Sequence, residues 1–321
     1  MTNKIAIIGA GISGLTLATK LQEKGVDVQV FDKGRGVGGR MSSRRTDWGY
    51  IDHGTQYFGL SNNEFQDFIS IYGEVMQPWQ GKFASWENGI FHEDKSSKIR
   101  YVPNEAMNRL CKYLSGDTTV KLETKIVSLT KNNDSWTLLD DHNHRYGDYD
   151  AVVITAPPSQ TANLLPDDCT FKPDIAKIKM LPCFTLMVIP EKKVNLPFEG
   201  VKFSHPVLGW VSANDTKPNR GDGGAIVIQS NFTYAMDHVN DDREKISQDL
   251  LTQTEKVFDF KFSPFHYFSL HLWRYALPQQ PNQQGYYYDA KTGLGICGDW
   301  CLSGKVEGAF LSASAIALKI K

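Results

Sequence analysis

The sequence predicts a chain of α/β plus α+β class, in which a Rossmann-type α/β domain is interleaved with a second domain built on a mixed sheet. Residues 4–32 carry the strand, glycine turn, helix and strand of a βαβ unit. An apolar strand at residues 151–155 and a strand-to-helix block at residues 294–318 extend that domain later in the chain. Residues 160–285 alternate aromatic strand segments with one amphipathic helix near Arg243–Phe258, a pattern typical of an α+β unit.

The first element is a strand that runs through a glycine turn into a helix. Gly9, Gly11 and Gly14 stand in G-x-G-x-x-G spacing directly after the first apolar run. The first glycine allows a tight turn, the second lets a pyrophosphate approach the backbone, and the third lets the helix pack close to the strand. Ile12 and Ser13 open the helix, so we expect their backbone amides to hold phosphate.

The second strand ends at an acidic residue. Asp32 follows the glycines by roughly 20 residues, which is the distance at which a carboxylate can bond a ribose hydroxyl. Lys33 follows it directly. A tight turn without a ligand would leave Asp32 without a role, so the unit predicts a dinucleotide site.

Composition excludes several functional classes. The 321 residues hold 35 Lys and Arg against 36 Asp and Glu, and this net charge of −1 argues against binding to nucleic acid or to anionic membranes. The five cysteines are scattered and form no C-x-x-C pair, so we expect neither a metal site nor a disulfide framework. No apolar run reaches the roughly 20 residues of a membrane span. A reducing cytoplasm is the expected location.

A glycine-rich basic segment follows the ribose acid at residues 33–46. Its sequence is compatible with a solvated loop, but its position lets it fold back across a diphosphate, whose charge an arginine and backbone amides would offset. Gly39, Arg40 and Met41 are the residues that we expect at the cofactor.

These motifs together resemble a known family. The G-A-G-I-S-G-L turn, the acid and the G-G-R-M string are similar to the FAD flavoproteins of the amine oxidase (flavin monoamine oxidase) superfamily. The resemblance implies a glutathione-reductase-like FAD-binding domain and a substrate domain like those of monoamine oxidase and p-hydroxybenzoate hydroxylase. It also implies FAD rather than NAD as the held cofactor, with Arg40 near its pyrophosphate.

The segment at residues 52–58 extends the likeness to bacterial renalase-like proteins, because it has their D-x-G-x-Q-Y-F form. Gly54 permits close approach to a flavin, and Gln56 offers it a donor and an acceptor. Tyr57 is included among the expected cofactor contacts. The alternative is a core strand with a buried, fully bonded glutamine, and His53 is expected to pack rather than react.

The C-terminal block G-D-W-C-L-S-G-K-V-E-G-A is also similar to renalase-like proteins. Gly298 and Asp299 follow a strand, so the carboxylate can bond a ribityl hydroxyl, although a helix cap is the alternative. The helix that follows would stabilise negative charge on a reduced flavin. By resemblance, further cofactor contacts are expected from Val306, Glu307, Gly308, Ala309, Ala156 and, if it is not an ordinary strand valine, Val127.

The resemblance and the order of elements predict a discontinuous FAD-binding domain. We expect it to comprise residues 1–62, 99–160 and 288–321, with residues 63–98 and 161–287 forming the substrate-binding domain. The glycine-rich turn at residues 221–224 neither follows a strand nor opens a helix. A second dinucleotide fold is therefore not expected.

Catalytic candidates come from the aromatic residues and from Gln56. Trp300 follows Asp299 directly and could cover one flavin face, and His271, Trp273 and Trp210 are weaker candidates. Each of them could equally belong to the core. The serine-glycine-rich segment that carries the covalent-flavin cysteine in monoamine oxidases is missing, so non-covalent FAD is expected.

Three functions remain open at this point. The leading hypothesis, by resemblance, is an oxidase of 1,2- and 1,6-dihydro-NAD(P) that passes hydride to flavin N5, returns NAD(P)+ and reduces O2 to H2O2. The first alternative is an FAD-dependent oxidase of small or aromatic amines, and the second is a non-catalytic FAD-binding protein. The expected partners are a small-molecule substrate and O2, and the sequence gives no oligomeric state.

Overall fold

The computed structural model describes residues 4–132 and 134–320. Residues 1–3 and 321, at the ends of the predicted FAD-binding domain, lie outside the described part. The helices are α1 (Ile12–Gln22), α2 (Asn63–Ser70), α3 (Arg109–Ser115), α4 (Pro158–Leu164), α5 (Lys172–Ala176), α6 (Phe232–Asp237), α7 (Arg243–Phe258) and α8 (Val306–Ala317). Short 3-10 turns lie at Gly39–Met41, Asn214–Thr216 and Asp299–Cys301.

The strands follow in chain order. They are β1 (Lys4–Ile8), β2 (Asp27–Phe31), β3 (Ser43–Thr46), β4 (Gly49–Asp52), β5 (Met76–Pro78), β6 (Phe83–Glu87), β7 (Ile90–Glu93), β8 (Tyr101–Pro103), β9 (Thr119–Lys121), β10 (Ile126–Asn132), β11 (Ser135–Asp140), β12 (Arg145–Tyr149), β13 (Ala151–Ile154), β14 (Met180–Pro190), β15 (Gly200–Ser204), β16 (Leu208–Ala213), β17 (Ile226–Ser230), β18 (Phe265–Pro278), β19 (Tyr286–Asp289) and β20 (Leu294–Cys297).

The first large sheet has six strands in the order β19-β20-β13-β1-β2-β9. The pairs from β20 to β9 are parallel, and β19 adds an antiparallel edge. Every residue of β13 is buried, as expected for a parallel strand that is covered on both faces. Helices α1, α3 and α8 share a core with one face, and the three-stranded sheet β10-β11-β12 shares a core with the other.

The second large sheet has seven strands in the order β18-β14-β17-β16-β15-β6-β7. Its pairs are antiparallel except for β15 with β6. Helix α7 packs its buried leucines and isoleucine against one face of this sheet. Strand β18 forms one edge of this sheet. Its residues line the cavity described below, together with residues that follow strands of the six-stranded sheet.

Most predicted elements agree with the structure, including the helix at Arg243–Phe258. Met107, Leu110, Cys111 and Leu114 fall on one helical face and predict a helix over residues 103–114, but α3 begins only at Arg109, so this prediction was wrong at its start. Tyr101–Pro103 is strand β8, and Glu105 has a left-handed φ of 65°, which an α-helix does not accommodate. The predicted residue boundaries of the FAD-binding and substrate-binding domains stay a prediction.

Candidate active site

A cavity of about 1010 Å³ opens where the parallel strands of the six-stranded sheet end. The residues that follow β1, β2, β13 and β20 all line it, and β18 supplies the opposite wall. The carboxyl ends of parallel strands are where open α/β sheets bind their ligands. Of the residues predicted to bind a cofactor, those that line the cavity are Gly9, Gly11, Ile12, Ser13, Asp32, Lys33, Gly39, Arg40, Met41, Val127, Ala156, Gly298, Asp299, Val306 and Ala309.

The glycine turn has the tight backbone and the close helix packing that were predicted for Gly9 and Gly14. Gly9 has φ +118°, and a Cβ there would lie 2.4 Å from Thr155 Oγ1. At Gly14, which is outside the cavity, a Cβ would lie 1.9 Å from the carbonyl oxygen of Gly9, so only glycine lets α1 pack this close. A Cβ at Gly11 would meet no atom within 4 Å on its cavity side. This turn therefore leaves room for a diphosphate against its backbone.

Asp32 organises the loops at the turn. One of its carboxylate oxygens accepts the Ala10 N–H at 2.6 Å, and the other accepts the Gly34 N–H at 2.7 Å. The Gly38 N–H also donates to the Ala10 carbonyl at 2.9 Å, which brings the basic segment back over the turn. The remaining acceptor capacity of Asp32 faces the cavity, where a ribose hydroxyl could donate to it.

Arg40 and Asp299 form an ion pair in the cavity wall. The guanidinium donates to both carboxylate oxygens, at 2.7 and 2.5 Å, and it also donates to the Ala276 carbonyl at 3.3 Å. The Asp299 side chain is 7% exposed and that of Arg40 is 29% exposed. The pair joins two predicted cofactor contacts that are 259 residues apart in the chain.

Gln56 does not line the cavity, and this corrects its prediction as a catalytic and cofactor-binding residue. Its Nε2 donates to the carbonyls of Asp52 and Gly54 at 2.6 and 3.1 Å. Its Oε1 accepts from Ser212 Oγ and Lys217 Nζ at 3.0 and 3.1 Å. The carboxamide is thus bonded within the protein, which is the alternative that the sequence left open.

Gly54 and Tyr57, which were predicted to contact the cofactor, do not line the cavity either. A Cβ at Gly54 would lie 2.0 Å from the carbonyl oxygen of Arg40, so the close approach at this glycine is to backbone. Tyr57 packs against Trp79 and Trp210. Thr55, which the sequence analysis did not single out, is the residue of this segment that lines the cavity.

Trp300 is fully buried, so the prediction that it covers a flavin face was wrong. Its indole N–H donates to the Ala156 carbonyl at 3.1 Å, and its ring packs in the core between the six- and three-stranded sheets. Two predicted contacts in α8 also face away from the cavity. Glu307 accepts the N–H groups of Ser61 and Asn62, and a Cβ at Gly308 would lie 2.2 Å from Ser303 Oγ.

His271 lines the cavity together with Trp273, and its catalytic role stays a prediction. The Trp273 indole donates to the His53 carbonyl at 2.8 Å, and its ring is stacked on the His53 ring at 5.2 Å. The ring of His271 lies 4.8 Å from that of His53. Burial lowers the pKa of His53 to about 3 and also lowers the pKa of His271, so both imidazoles are neutral near pH 7.

The cavity wall carries more positive than negative charge. Its carboxylates are Asp32 and Asp299. Its basic residues are Lys33, Arg40, Lys125, Arg243, Arg274 and Lys305. Lys125, Arg243 and Arg274 stand in no sequence motif that indicates a site, and they reach the cavity only through the fold.

The residues present fit FAD. Gly11 leaves open space at the wall, the basic side chains can offset a diphosphate, and Asp32 can accept from a ribose. Val127 also lines the cavity, where an adenine base could pack against it. No cysteine lines the cavity among the described residues. The same residues hold no cluster of metal ligands, and no helix in residues 4–132 or 134–320 is long and apolar enough to cross a membrane.

Comparisons with solved structures agree with this fold. The chain is similar to a protein assigned as a protoporphyrinogen oxidase from Exiguobacterium sp. 255-15, with 14% identity, 99% of each chain covered and a TM-score of 0.76. It is also similar to an engineered variant of putrescine oxidase, with 12% identity, coverage of 100% of this chain and 99% of that one, and a TM-score of 0.74.

Curated relatives match over shorter segments. A 4,4'-diaponeurosporene oxygenase from Staphylococcus haemolyticus (strain JCSC1435) is 27% identical over 125 residues, which are 35% of this chain and 25% of that protein. A 4,4'-diapophytoene desaturase from Staphylococcus aureus (strain Newman) is 43% identical over 78 residues, which are 21% of this chain and 16% of that protein. The matched segment thus spans a quarter or less of these relatives.

Family models cover nearly the whole chain. The model of the NAD(P)-binding Rossmann-like domain matches residues 7–73, and that of the flavin containing amine oxidoreductases matches residues 82–320. The first match contains the glycine turn and Asp32, and the second contains Ala156, Asp299 and the wall formed by β18. The chain therefore belongs to the family of flavin-containing amine oxidoreductases and is an FAD-dependent oxidoreductase.

Proposed function

We propose that the protein is an oxidase of phosphate-bearing dihydronicotinamides, namely the 1,2- and 1,6-dihydro isomers of NAD(P). Bound FAD would supply the hydride acceptor at N5, and O2 would then take the two electrons to give H2O2. The overall reaction consumes the dihydronicotinamide, one O2 and one proton, and it yields NAD(P)+ and H2O2. The protein's own task is to bind the donor, orient its ring and keep water out.

The charge of the cavity wall is the observation that carries this proposal. Strand β18 and the first residue of α7 contribute Arg274 and Arg243 to the wall, and the described residues of these two elements add no carboxylate to it. A surplus of positive charge remains even after the diphosphate of FAD is counted. Such a wall attracts a donor that carries phosphates and repels a protonated amine.

The neutral imidazoles support the same donor. Oxidation of a dihydronicotinamide requires a flat site beside the flavin rather than a strong base. His271 offers one donor and one acceptor, which suits a carboxamide, and the Trp273 ring beside it offers a flat apolar surface. The lowered pKa of His271 keeps it from adding a charge to a wall that is already cationic.

The test is anaerobic flavin absorbance after mixing with each donor separately. We expect rapid bleaching by a mixture of 1,2- and 1,6-dihydro-NAD isomers, with colour returning when air is admitted. Bleaching by primary amines alone would contradict the proposal. Bleaching by dithionite alone would instead support a non-catalytic FAD-binding protein.

Oxidation of small or aromatic amines is the second candidate function. The family match and the structural likeness to putrescine oxidase favour it. A cationic wall admits the neutral amine more readily than its protonated form, so the rate of flavin reduction should rise with pH through the ionisation of the amine. A rate that does not change over that pH range would argue against amines as donors.

A further inference from the structure

Residues 52–56, called here the junction segment, lie between the two large sheets. The seven-stranded sheet and the connection between β16 and β17 make polar contacts of 3.1 Å or less with this segment. They are Asn214 Oδ1 with the Asp52 N–H, Ser212 Oγ with Gln56 Oε1, Lys217 Nζ with Asp52 Oδ2 and Gln56 Oε1, Arg220 Nε with Asp52 Oδ2, Gln229 Nε2 with the Gly54 carbonyl, and Trp273 Nε1 with the His53 carbonyl.

A buried ion cluster anchors one end of the junction segment. Lys217 Nζ and Arg220 Nε lie 3.1 and 3.0 Å from Asp52 Oδ2, and all three side chains are fully buried. The other carboxylate oxygen accepts from Ser43 Oγ at 2.6 Å and from a backbone N–H. Lys217 Nζ also lies 4.9 Å from the centre of the Trp79 ring. The cluster thus holds two cations around one carboxylate, although one cation would balance it.

Lys217 has a second partner that leads to the cavity. Its Nζ donates to Gln56 Oε1 at 3.1 Å, and Gln56 Nε2 donates to the Gly54 carbonyl at 3.1 Å. On the other side of the same peptide group, the Thr55 N–H donates to the Arg40 carbonyl at 2.9 Å. Thr55 lines the cavity, and Arg40 holds Asp299 there. An unbroken chain of hydrogen bonds therefore joins the buried ammonium to the cavity wall.

The Gln56 carboxamide is held at both of its ends. Lys217 can only donate, so it faces the carboxamide oxygen, while the Nε2 group donates to the carbonyls of Asp52 and Gly54. Removal of Lys217 leaves Ser212 Oγ as the donor to Oε1 and takes away the charge-assisted bond. The carboxamide would then hold the Gly54 carbonyl less firmly, and the peptide at Gly54 could move.

We propose that Lys217 is a positioning residue for FAD, acting through Gln56 to fix the peptide between Gly54 and Thr55 at the cavity wall. Arg220 and the two hydrogen bonds to the other oxygen already stabilise the Asp52 carboxylate. The charge of Asp52 therefore does not require Lys217, and we attribute the presence of Lys217 to its hold on the peptide between Gly54 and Thr55. This proposal depends on FAD binding and is independent of the electron donor.

The test compares variants of the first two residues in this chain of hydrogen bonds, Lys217 and Gln56. K217M removes the ammonium and leaves Asp52 paired with Arg220. Q56E keeps an acceptor for Lys217, removes the donor to Gly54 and balances the buried charges, so it provides a second measurement if K217M does not fold. Apoprotein is titrated with FAD, and the dissociation constant and the visible absorbance spectrum of the bound flavin are measured. We expect at least a tenfold weaker FAD affinity and an altered spectrum in both variants.

L250A is the matched control for lost stability. Leu250 is fully buried in α7 within the core of the seven-stranded sheet, away from the cavity lining. It should lower the thermal midpoint while leaving FAD affinity within twofold of the wild type. An affinity within twofold and an unchanged spectrum in Q56E, or in a folded K217M, would overturn the proposal. The same conclusion holds if L250A weakens FAD binding as much as they do.

Discussion

The ion pair between Arg40 and Asp299 gives a prediction whose size follows from its burial. In D299N, one acceptor and the negative charge are lost, and the guanidinium is left with one amide oxygen and the Ala276 carbonyl. Breaking a fully buried pair costs about 3–5 kcal/mol. The Arg40 side chain is 29% exposed, so water can replace part of the lost interaction. We therefore expect a loss of about 2 kcal/mol, somewhat below the buried range.

The assay is the thermal midpoint of the apoprotein, followed by FAD titration. A loss of about 2 kcal/mol corresponds to a midpoint lowered by about 4 °C in a chain of this size. D174N is the control, because Asp174 and its partner Lys177 are 70% and 75% exposed and an exposed pair contributes little. FAD affinity should also fall in D299N but not in D174N. A D299N midpoint equal to that of the wild type, or to that of D174N, would refute the reasoning.

Three further predictions concern the turn, the acid limit and the donor site. G14A places a Cβ 1.9 Å from the Gly9 carbonyl oxygen and should abolish both folding of α1 and FAD binding, whereas G11A should stay folded by circular dichroism and bind FAD at least tenfold more weakly. Burial opposes the charged form of Asp52, but Lys217 and neighbouring donors lower its pKa from 3.8 to about 2. Ionised Asp52 therefore contributes about 2 kcal/mol to the free energy of unfolding above pH 4, and this contribution is lost as pH falls through 2. In D52N, the stability measured by fluorescence should therefore depend less steeply on pH in the acid range. R274Q should raise the dissociation constant of a phosphate-bearing donor about tenfold, measured by stopped-flow flavin reduction, and make that constant less dependent on salt concentration. The dissociation constants of amines should not change. Equal effects on both donor classes would count against the role of the cationic wall.

The sequence determined the dinucleotide site because its parts are local. Gly9, Gly14 and Asp32 lie within one βαβ unit, in which steric limits on the turn and the length of the helix fix where each residue stands. The apolar strand at residues 151–154 was equally readable, because a parallel strand buried on both faces has no polar positions. These features required no knowledge of how distant segments meet.

The tertiary structure decided which side chains face the cavity. Gln56 and Trp300 sit beside true lining residues in the chain, yet the first is bonded to Lys217 and the second to the Ala156 carbonyl. Their partners lie 161 and 144 residues away, so no local pattern reveals that their polar atoms are already satisfied. Arg274 reaches the wall for the same reason, since the direction of a strand side chain depends on the sheet in which the strand pairs. Local sterics thus fixed the glycine turn, while long-range pairing fixed the charge and the chemistry of the cavity.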